Sequence, residues 1–303
     1  MLAIPSGTVA FGTQLPIQTK TRLLAAPWED DATPADLMAI ARAADRSGYL
    51  YIAACDHVAI PRDKADAMSL WWQDTFTTLG WLAAATERVA LLSHVYVLAY
   101  RHPLVAAKGF ATLDHLSGGR AIVGVGAGHV EAEFDVLGVP FAERGRITDE
   151  RLPQLAEALE QTYVGEMGAL PRPAQSPRPP IWIGGSGAPA VRRAARWDGW
   201  LPQGPATVEA LDTIRRIREE AGTADQPFAV GHVVTSRVHV GLPGHETQQG
   251  SLVGSAAQVA ECIRRELPPG VNQVQVRFDA PCATAYAEQV ERFGVEVGPL
   301  LQP

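Results

Sequence analysis

The chain has 303 residues, of which 47% are hydrophobic and 19% are charged, so it can bury a large core. Its formal net charge of −7, without any run of basic residues, argues against nucleic acid as a partner, because binding to a phosphate backbone needs clustered lysine and arginine. No apolar stretch reaches the roughly 18 residues of a transmembrane helix, so we expect no membrane association.

The cysteines and the N-terminal segment bear on the cellular compartment. Cys55, Cys262 and Cys282 are odd in number and widely spaced, which indicates neither a disulfide framework nor a zinc motif. The segment before Lys20 has no basic residue and no continuous apolar core, so no signal peptide is predicted. We expect a cytoplasmic protein, and the histidine spacing predicts no metal site.

Short apolar runs alternate with amphipathic stretches along the chain, which is typical of parallel βα units. Strands are predicted at residues 8–14, 49–54, 89–98, 121–125, 181–183, 199–202, 228–240 and 274–278. The clearest helices are predicted at residues 33–48, 70–85, 102–116, 188–196 and 208–220. Capping boxes mark helix starts at Thr33 and Ser255.

This order of elements predicts an α/β fold in which the strands close into a (β/α)8 TIM barrel. The barrel would form a single domain over residues 1–303, with insertions after strands four and seven. The proline-rich segment 171–180 leads directly into the fifth strand, so we interpret it as a loop within that domain. An open, doubly wound sheet is the alternative, which eight consecutive units disfavour.

The dipeptide Asp56-His57 directly follows the predicted second strand. In a barrel of this kind the active site lies at the C-terminal ends of the strands. A histidine there can move a proton near neutral pH, and a carboxylate can fix its tautomer. An ordinary surface turn is the alternative, and position alone does not decide between the two.

Gly184, Gly185, Ser186 and Gly187 connect the predicted fifth strand to a helix. Backbone N–H groups of such a turn can approach an anion, and a helix N-terminus adds favourable partial charge, so the segment suits a phosphate group. The pattern matches neither the dinucleotide nor the Walker fingerprint, and a plain strand-to-helix turn has the same composition.

A second glycine-rich segment ends the predicted fourth strand, where Gly124, Gly126 and Gly128 precede His129. Glycines there would let a flat ligand approach the backbone, or would serve only tight packing between strands. Both interpretations remain open from the pattern alone.

Three tryptophans lie in or near the predicted second helix. Trp71 and Trp72 are candidates for lining an apolar substrate cavity, whereas Trp81 is expected in the core.

Several stretches carry a likeness to a known family. The longest is residues 101–129, RHPLVAAKGFATLDHLSGGRAIVGVGAGH, and others lie between 133 and 150 and at 180–187, 197–200, 253–259 and 293–300. Together they resemble the luciferase-like monooxygenase superfamily and, more narrowly, its coenzyme F420-dependent oxidoreductase branch. The likeness covers nearly the whole chain and implies the same barrel.

The resemblance implies a deazaflavin or flavin at the C-terminal mouth of the barrel, with F420 expected and FMN as the alternative. It makes His57 the expected catalytic residue, assisting proton transfer, and makes residues 184–187 the loop that holds the cofactor phosphate. His94 and Val95 correspond to a bulge, often with a non-prolyl cis peptide, that supports the ring. The full set of expected cofactor-binding residues is Asp56, His94, Val95, Gly126, Gly128, His129, Gly184, Gly185, Ser186 and Gly187.

The substrate is less defined than the cofactor. F420-dependent glucose-6-phosphate dehydrogenases carry a glutamate where this chain has His129, and they supply lysines for the sugar phosphate. No lysine follows Lys108 here, so a sugar phosphate is not expected. His129 would instead contact the cofactor or the substrate.

Three functions fit these observations. Hydride transfer between the deazaflavin and a small organic substrate is expected, and an FMNH2-dependent monooxygenase is the alternative. A non-catalytic flavin-binding protein is the third, which the intact Asp56-His57 and the complete barrel disfavour. Dimers are common in the family, so a homodimer is the assembly that the resemblance suggests.

Overall fold

Eight parallel strands close into a barrel in the computed structural model, which describes residues 2–5, 7–22 and 24–302. Strands β1 to β8 are Ala10–Gln14, Tyr51–Ala54, Ala90–Ser93, Ala121–Gly126, Ile181–Gly184, Gly199–Leu201, Ala229–Val233 and Gln273–Val276. Each strand pairs in parallel with the next, and β8 pairs with β1 to complete the ring. The predicted (β/α)8 barrel is confirmed.

Helices connect the strands on the outside of the barrel. Within the described residues, helices α1 to α10 are Pro34–Arg46, Ala65–Met68, Thr75–Ala83, Pro103–Leu116, Glu131–Val136, Arg144–Glu160, Ala188–Ala194, Val208–Glu220, Ala256–Glu266 and Ala283–Arg292. A π-helical turn, Phe293–Val297, continues α10. Within the same residues, no helix has the length and apolar character needed to cross a membrane.

Local side-chain chemistry sets several helix starts. The Thr33 side chain accepts a hydrogen bond from the Asp36 N–H while the Asp36 carboxylate accepts one from the Thr33 N–H, which is the predicted capping box of α1. Ser255 and Gln258 form the same box at α9. The helix predicted at 70–85 instead begins at Thr75, because the Asp74 carboxylate caps it through the Thr77 N–H.

The strand predicted at 89–98 is interrupted. β3 ends at Ser93, the His94–Val95 peptide is cis, and a two-residue strand, Tyr96–Val97, then pairs with the end of β4. The non-prolyl cis peptide that the family resemblance implied is therefore present at His94–Val95. The bulge turns the chain away from β2 at the mouth of the barrel, where the strands end.

The two predicted insertions are present. The connection after β4 contains α5, α6 and a small hairpin of Tyr163–Val164 with Met167–Gly168. After β7, a short strand Val238–Val240 pairs in parallel with Leu252–Gly254, so the region predicted as one strand at 228–240 is two strands. The first insertion matters for the site, because α5 and α6 both supply residues to it.

Apolar side chains fill the centre of the barrel interior. Strand residues alternate between the interior and the helical layer, and bulky inward residues meet in the centre. This interior cluster comprises Tyr51, Ala53, Ala90, Leu92, Ile122, Trp182, Leu201 and Ala229. The Tyr51 hydroxyl donates a hydrogen bond to Gln273 Oε1 across the interior. These side chains pack the centre of the barrel, beneath the C-terminal ends of the strands.

Candidate active site

A cavity of about 860 Å³ lies at the C-terminal ends of the strands. Each of the eight strands contributes a residue to its wall at or just beyond its C-terminal end: Gln14, Cys55, His94, Gly126, Gly184, Leu201, Val233 and Arg277. Its volume falls within the range of about 300–1,000 Å³ that is usual for pockets of organic ligands. The location is the one at which barrels of this type carry their active sites.

The cavity brings together nearly all of the predicted site residues. Its wall includes Asp56, His57, Trp72, His94, Val95, Gly126, Gly128, His129, Gly184, Gly185, Ser186 and Gly187. Trp71 is the exception, because its ring is exposed and lies beneath the Lys20 ammonium group at 5.0 Å, outside the cavity wall. Trp81 is also 41% exposed and is not the core residue that we expected.

His57 is held by a carboxylate from the insertion after β4. Its Nδ1 lies 2.7 Å from Oε2 of Glu133, a buried residue of α5. The other carboxylate oxygen, Oε1, accepts hydrogen bonds from the N–H groups of Val58 and Ala59 at 2.7 and 3.1 Å. The Tyr100 hydroxyl donates to Glu133 Oε2 at 3.2 Å. Glu133 thus joins the residues that follow β2 to α5.

The charge of Glu133 fixes the tautomer of His57. Burial alone would raise the pKa of Glu133, but the hydrogen bond and charge of His57, together with the N–H groups of Ala59 and Val58, outweigh it and lower the pKa. The ionised carboxylate accepts the proton on His57 Nδ1. Nε2 has no hydrogen-bond partner among the residues that the structure describes, so it is the nitrogen available to a ligand.

Asp56 does not perform the role that its position beside His57 suggested. Its carboxylate accepts two hydrogen bonds from the Arg101 guanidinium, at 2.6 and 2.8 Å, and one from the Val97 N–H at 2.8 Å. Asp56 therefore ties the end of β2 to the segment after the His94–Val95 bulge. It lines the cavity as a structural residue, and Glu133 is the residue that orients His57.

Two rings flank the imidazole of His57. The Trp72 ring centroid lies 4.3 Å away at an interplanar angle of 60°, and that of His129 lies 5.4 Å away at 87°. Burial, followed by the nearby His57, lowers the pKa of His129, so His129 is a neutral ring at neutral pH. These contacts hold the His57 ring in one orientation at the cavity wall.

The glycines beside the cis peptide make room for Val95. A Cβ atom on Gly126 would lie 2.3 Å from Val95 Cγ2, and one on Gly184 would lie 2.5 Å from Val95 Cγ1. A Cβ atom on Gly124 would lie 1.9 Å from the Ser93 carbonyl oxygen. Tight packing, one of the two interpretations left open by the sequence, therefore explains Gly124 and Gly126. The ligand would meet the Val95 side chain there.

The turn after β5 has the features of an anion cradle. Gly185 has a φ of 117°, which favours glycine, and its N–H donates to the Leu201 carbonyl group. The Ser186 hydroxyl accepts from the Gln203 N–H at 2.9 Å. The N–H groups of Ser186 and Gly187 have no partner within the described residues, so they are free to bind a ligand.

An arginine from α6 adds positive charge to this part of the cavity. Arg193 of α7 donates to the Gly145 carbonyl group, which places the neighbouring Arg144 beside the helix that follows the glycine turn. The Arg144 guanidinium lies 3.9 Å from the Phe141 ring centroid, and within the described part of the chain only its Nη1 donates a hydrogen bond, to the Phe141 carbonyl group. Its remaining N–H groups are available, and the sequence patterns assigned Arg144 no role.

Comparison with known proteins identifies the family. The family model described as luciferase-like monooxygenase matches residues 9–249. The chain therefore belongs to the luciferase-like monooxygenase family, as its sequence patterns indicated.

Individual relatives use different cofactors. An uncharacterized protein of Mycobacterium bovis is 32% identical over 219 residues, which cover 65% of this chain and 75% of the relative. FMNH2-dependent dimethylsulfone monooxygenase of Pseudomonas putida is 29% identical over 204 residues, covering 63% of this chain and 53% of the relative. The structure of coenzyme F420-dependent tetrahydromethanopterin reductase of Methanopyrus kandleri matches with a TM-score of 0.72 and 21% identity. The match covers 96% of this chain and 99% of that chain, which shows a shared fold.

The contact between His57 and Glu133 leads to a prediction about proton transfer. Glu133→Gln should lower turnover by about 10²-fold, because the neutral amide no longer fixes the proton on Nδ1 of His57. Cofactor affinity should change by less than about threefold, since Glu133 does not line the cavity. Turnover at saturating cofactor and fluorescence titration measure the two effects. A parallel loss of both would contradict the positioning role.

The same substitution should alter the acid stability of the protein. The folded pKa of Glu133 lies below its usual value of 4.5, so its contribution is fully present above that pH. It is lost as the pH falls through the folded pKa. In thermal melts between about pH 3 and 7, the melting temperature of Glu133→Gln should therefore fall less on acidification than that of the wild type.

Proposed function

We propose that this protein is an F420-dependent oxidoreductase that transfers a hydride between the deazaflavin and a small organic substrate. The observation that carries this proposal is the His57–Glu133 pair, which presents one histidine nitrogen to a ligand-sized cavity. The same cavity contains the glycine turn, in which the Ser186 and Gly187 N–H groups have no partner among the described residues. A protein that uses such a cofactor must bind its phosphate and move a proton during the reaction.

The residues present fit this cofactor. The N–H groups of Ser186 and Gly187, with the free donors of Arg144, would hold its phosphate. Val95 would support one face of the ring system, and His129 would contact its edge. When bound, F420 supplies a ring carbon that accepts or donates a hydride.

The chain's own residues would handle the proton. Nε2 of His57 would donate a proton to the substrate oxygen, or remove one from it, as the hydride moves. Glu133 would keep the proton on Nδ1 and stabilise the charge that forms on the ring. Trp72 and His129 pack beside the imidazole and keep water away from it.

A monooxygenase that uses reduced FMN is the second candidate. Its support is the 29% identity to the FMNH2-dependent dimethylsulfone monooxygenase. The glycine turn and Arg144 would suit the FMN phosphate equally well, because both cofactors end their ribityl-type chain in a phosphate. The two candidates therefore differ in the ring that the cavity prefers.

Titration of the purified protein with F420 and, separately, with FMN tests the proposal. Ligand fluorescence follows binding in both cases. We expect the dissociation constant for F420 to be at least about tenfold below that for FMN, a difference of about 1.4 kcal/mol. Preference for FMN would replace the proposal with the monooxygenase, and binding of neither would remove both.

Arg144→Met is expected to weaken binding of the preferred cofactor by about 10–100-fold, because a charge-assisted hydrogen bond to phosphate is lost. Arg146→Met is the matched control on the same helix, since Arg146 is exposed and pairs with Glu143 and Glu150. Fluorescence titration of both variants measures the effect. Equal affinities of the two variants would show that Arg144 does not hold the phosphate.

A further inference from the structure

Arg277 is a cation at the edge of the cavity. It directly follows β8, and its side chain lines the cavity wall together with Cys55 and His94. No hydrogen bond or ion pair of its guanidinium group occurs within residues 2–5, 7–22 and 24–302. Because a half-buried charge without a partner is unfavourable, we expect a ligand to pair with this guanidinium group.

Two other charged groups of the cavity wall are paired with an opposite charge, whereas Arg144 has no ion pair among the described residues. Arg193 binds the Asp149 carboxylate through two hydrogen bonds, at 2.6 and 3.0 Å. Asp56 is the only carboxylate in the cavity wall among the described residues, and Arg101 occupies it. Within the described residues, Arg277 thus differs from Arg193 in having no paired carboxylate, and from Arg144 in having no hydrogen bond from its guanidinium group.

The acidic group that influences Arg277 electrostatically already accepts hydrogen bonds from other groups. Glu29 influences Arg277 electrostatically, but its two carboxylate oxygens accept the N–H groups of Ile17 and Ala26 at 2.8 and 2.7 Å. Burial lowers the pKa of Arg277, and the neighbouring Arg237 contributes in the same direction. Arg237 itself donates to the carbonyl groups of Leu24 and Phe278.

The titratable neighbours of Arg277 in the wall are uncharged. Burial lowers the pKa of His94 to about 4, with a further contribution from Arg277, so its imidazole is neutral at neutral pH. Burial raises the pKa of Cys55 to about 12, and the Gln14 amide donates to its sulfur at 2.8 Å. Neither His94 nor Cys55 therefore carries a charge that could pair with the guanidinium group at neutral pH.

Arg277 lies away from the glycine turn. The strands form a ring of eight in chain order, and β8 is three strands removed from β5, where the turn begins. A phosphate at residues 184–187 and an anion at Arg277 would therefore be held at the ends of different strands, three apart in the ring. The cavity has room for two ligands, since its volume is about 860 Å³.

We propose that Arg277 forms an anion-binding subsite for the carboxylate of the substrate, so that the protein acts on a small organic acid. A guanidinium group pairs with a carboxylate through two parallel hydrogen bonds, which fixes both the position and the orientation of the acid. The neutral His94 ring can add a hydrogen bond beside it. The inference rests on the proposed function, because it assigns the glycine turn of the same cavity to the cofactor.

Benzoate and benzamide are the probes that test this subsite, because they share a shape and differ in charge. Binding of each to the cofactor-loaded protein and to the apoprotein is measured by calorimetry. We expect benzoate to bind the loaded wild type at least about tenfold more tightly than benzamide. Arg277→Met should remove that preference by weakening benzoate binding alone, and Arg277→Lys should retain part of it.

Arg237→Met is the matched control, since Arg237 is a neighbouring arginine outside the cavity wall. This variant should keep the full preference for benzoate. Equal binding of the two probes to the loaded wild type would overturn the proposal, as would a preference that persists in Arg277→Met. The wild-type comparison needs no substitution, so the test does not depend on how a variant folds.

Comparing the apoprotein with the cofactor-loaded protein distinguishes a failure of this inference from a failure of the proposed function. If benzoate is preferred by the apoprotein but not after loading, Arg277 pairs with the cofactor itself, and the substrate assignment is wrong. Failure of F420 and FMN to bind would remove the proposed function, yet benzoate binding to the apoprotein would still measure the subsite. Loss of cofactor binding and loss of probe preference are thus distinct results.

Discussion

Replacing His57 with alanine is expected to lower turnover by about 10²–10⁴-fold, which is the usual contribution of a general acid or base. The affinity for the cofactor should change by less than about threefold, because His57 contributes one ring contact among many in the cavity. The physical reason is that Glu133 engages Nδ1 of His57, whereas Nε2 has no hydrogen-bond partner among the described residues and can reach a ligand. Steady-state turnover and cofactor titration measure the two effects.

Two further variants control for this result. His115→Ala removes an exposed histidine of α4 and should leave both quantities unchanged. His129→Ala removes the ring next to His57 but not the hydrogen bond to Glu133, so its turnover should remain well above that of His57→Ala. Unchanged turnover in His57→Ala would end the assignment of proton transfer to this residue.

Arg101→Met should destabilise the protein by about 3–5 kcal/mol, because it leaves the buried Asp56 carboxylate without its charged partner. In the structure, Arg101 makes two hydrogen bonds to Asp56 and lies 4.4 Å from the Tyr96 ring centroid. Both sets of contacts are lost in the variant. Denaturant unfolding, analysed for the midpoint and the slope, measures the change in the free energy of unfolding.

Arg146→Met provides the comparison for this effect. Arg146 also pairs with two carboxylates, but all three side chains are exposed, and such pairs contribute little. Its unfolding midpoint should match that of the wild type. If Arg101→Met were as stable as Arg146→Met, the Asp56–Arg101 pair would not hold the end of β2 to the bulge.

The fold could be predicted from the sequence because its signals are local. The bounds of α8 match the predicted helix at 208–220, since apolar spacing and a Thr207 cap both act within one helix. The break after Ser93 was different. The mostly apolar run 89–98 looks like one strand, and no local pattern shows that Val95 will pack against glycines from two other strands.

The site could be predicted only in part, because its key contact joins distant residues. His57 and Glu133 are 76 positions apart, and no local pattern shows which carboxylate reaches the imidazole. Asp56 was the nearer candidate, but its carboxylate binds the Arg101 guanidinium instead of the adjacent imidazole. Trp72 lies in the cavity wall whereas its neighbour Trp71 is exposed, a difference that the sequence alone did not show.

The origin of Glu133 has a consequence for how this barrel can be altered. Its carboxylate belongs to a segment that interrupts the regular strand-and-helix repeat, whereas His57 belongs to the repeat itself. Trimming that excursion, or exchanging it for one from another barrel, would leave the histidine in place with no acceptor for its inner proton. The inserted segment and the strand-and-helix repeat must therefore change together. Substrate range cannot be redesigned by exchanging this segment alone.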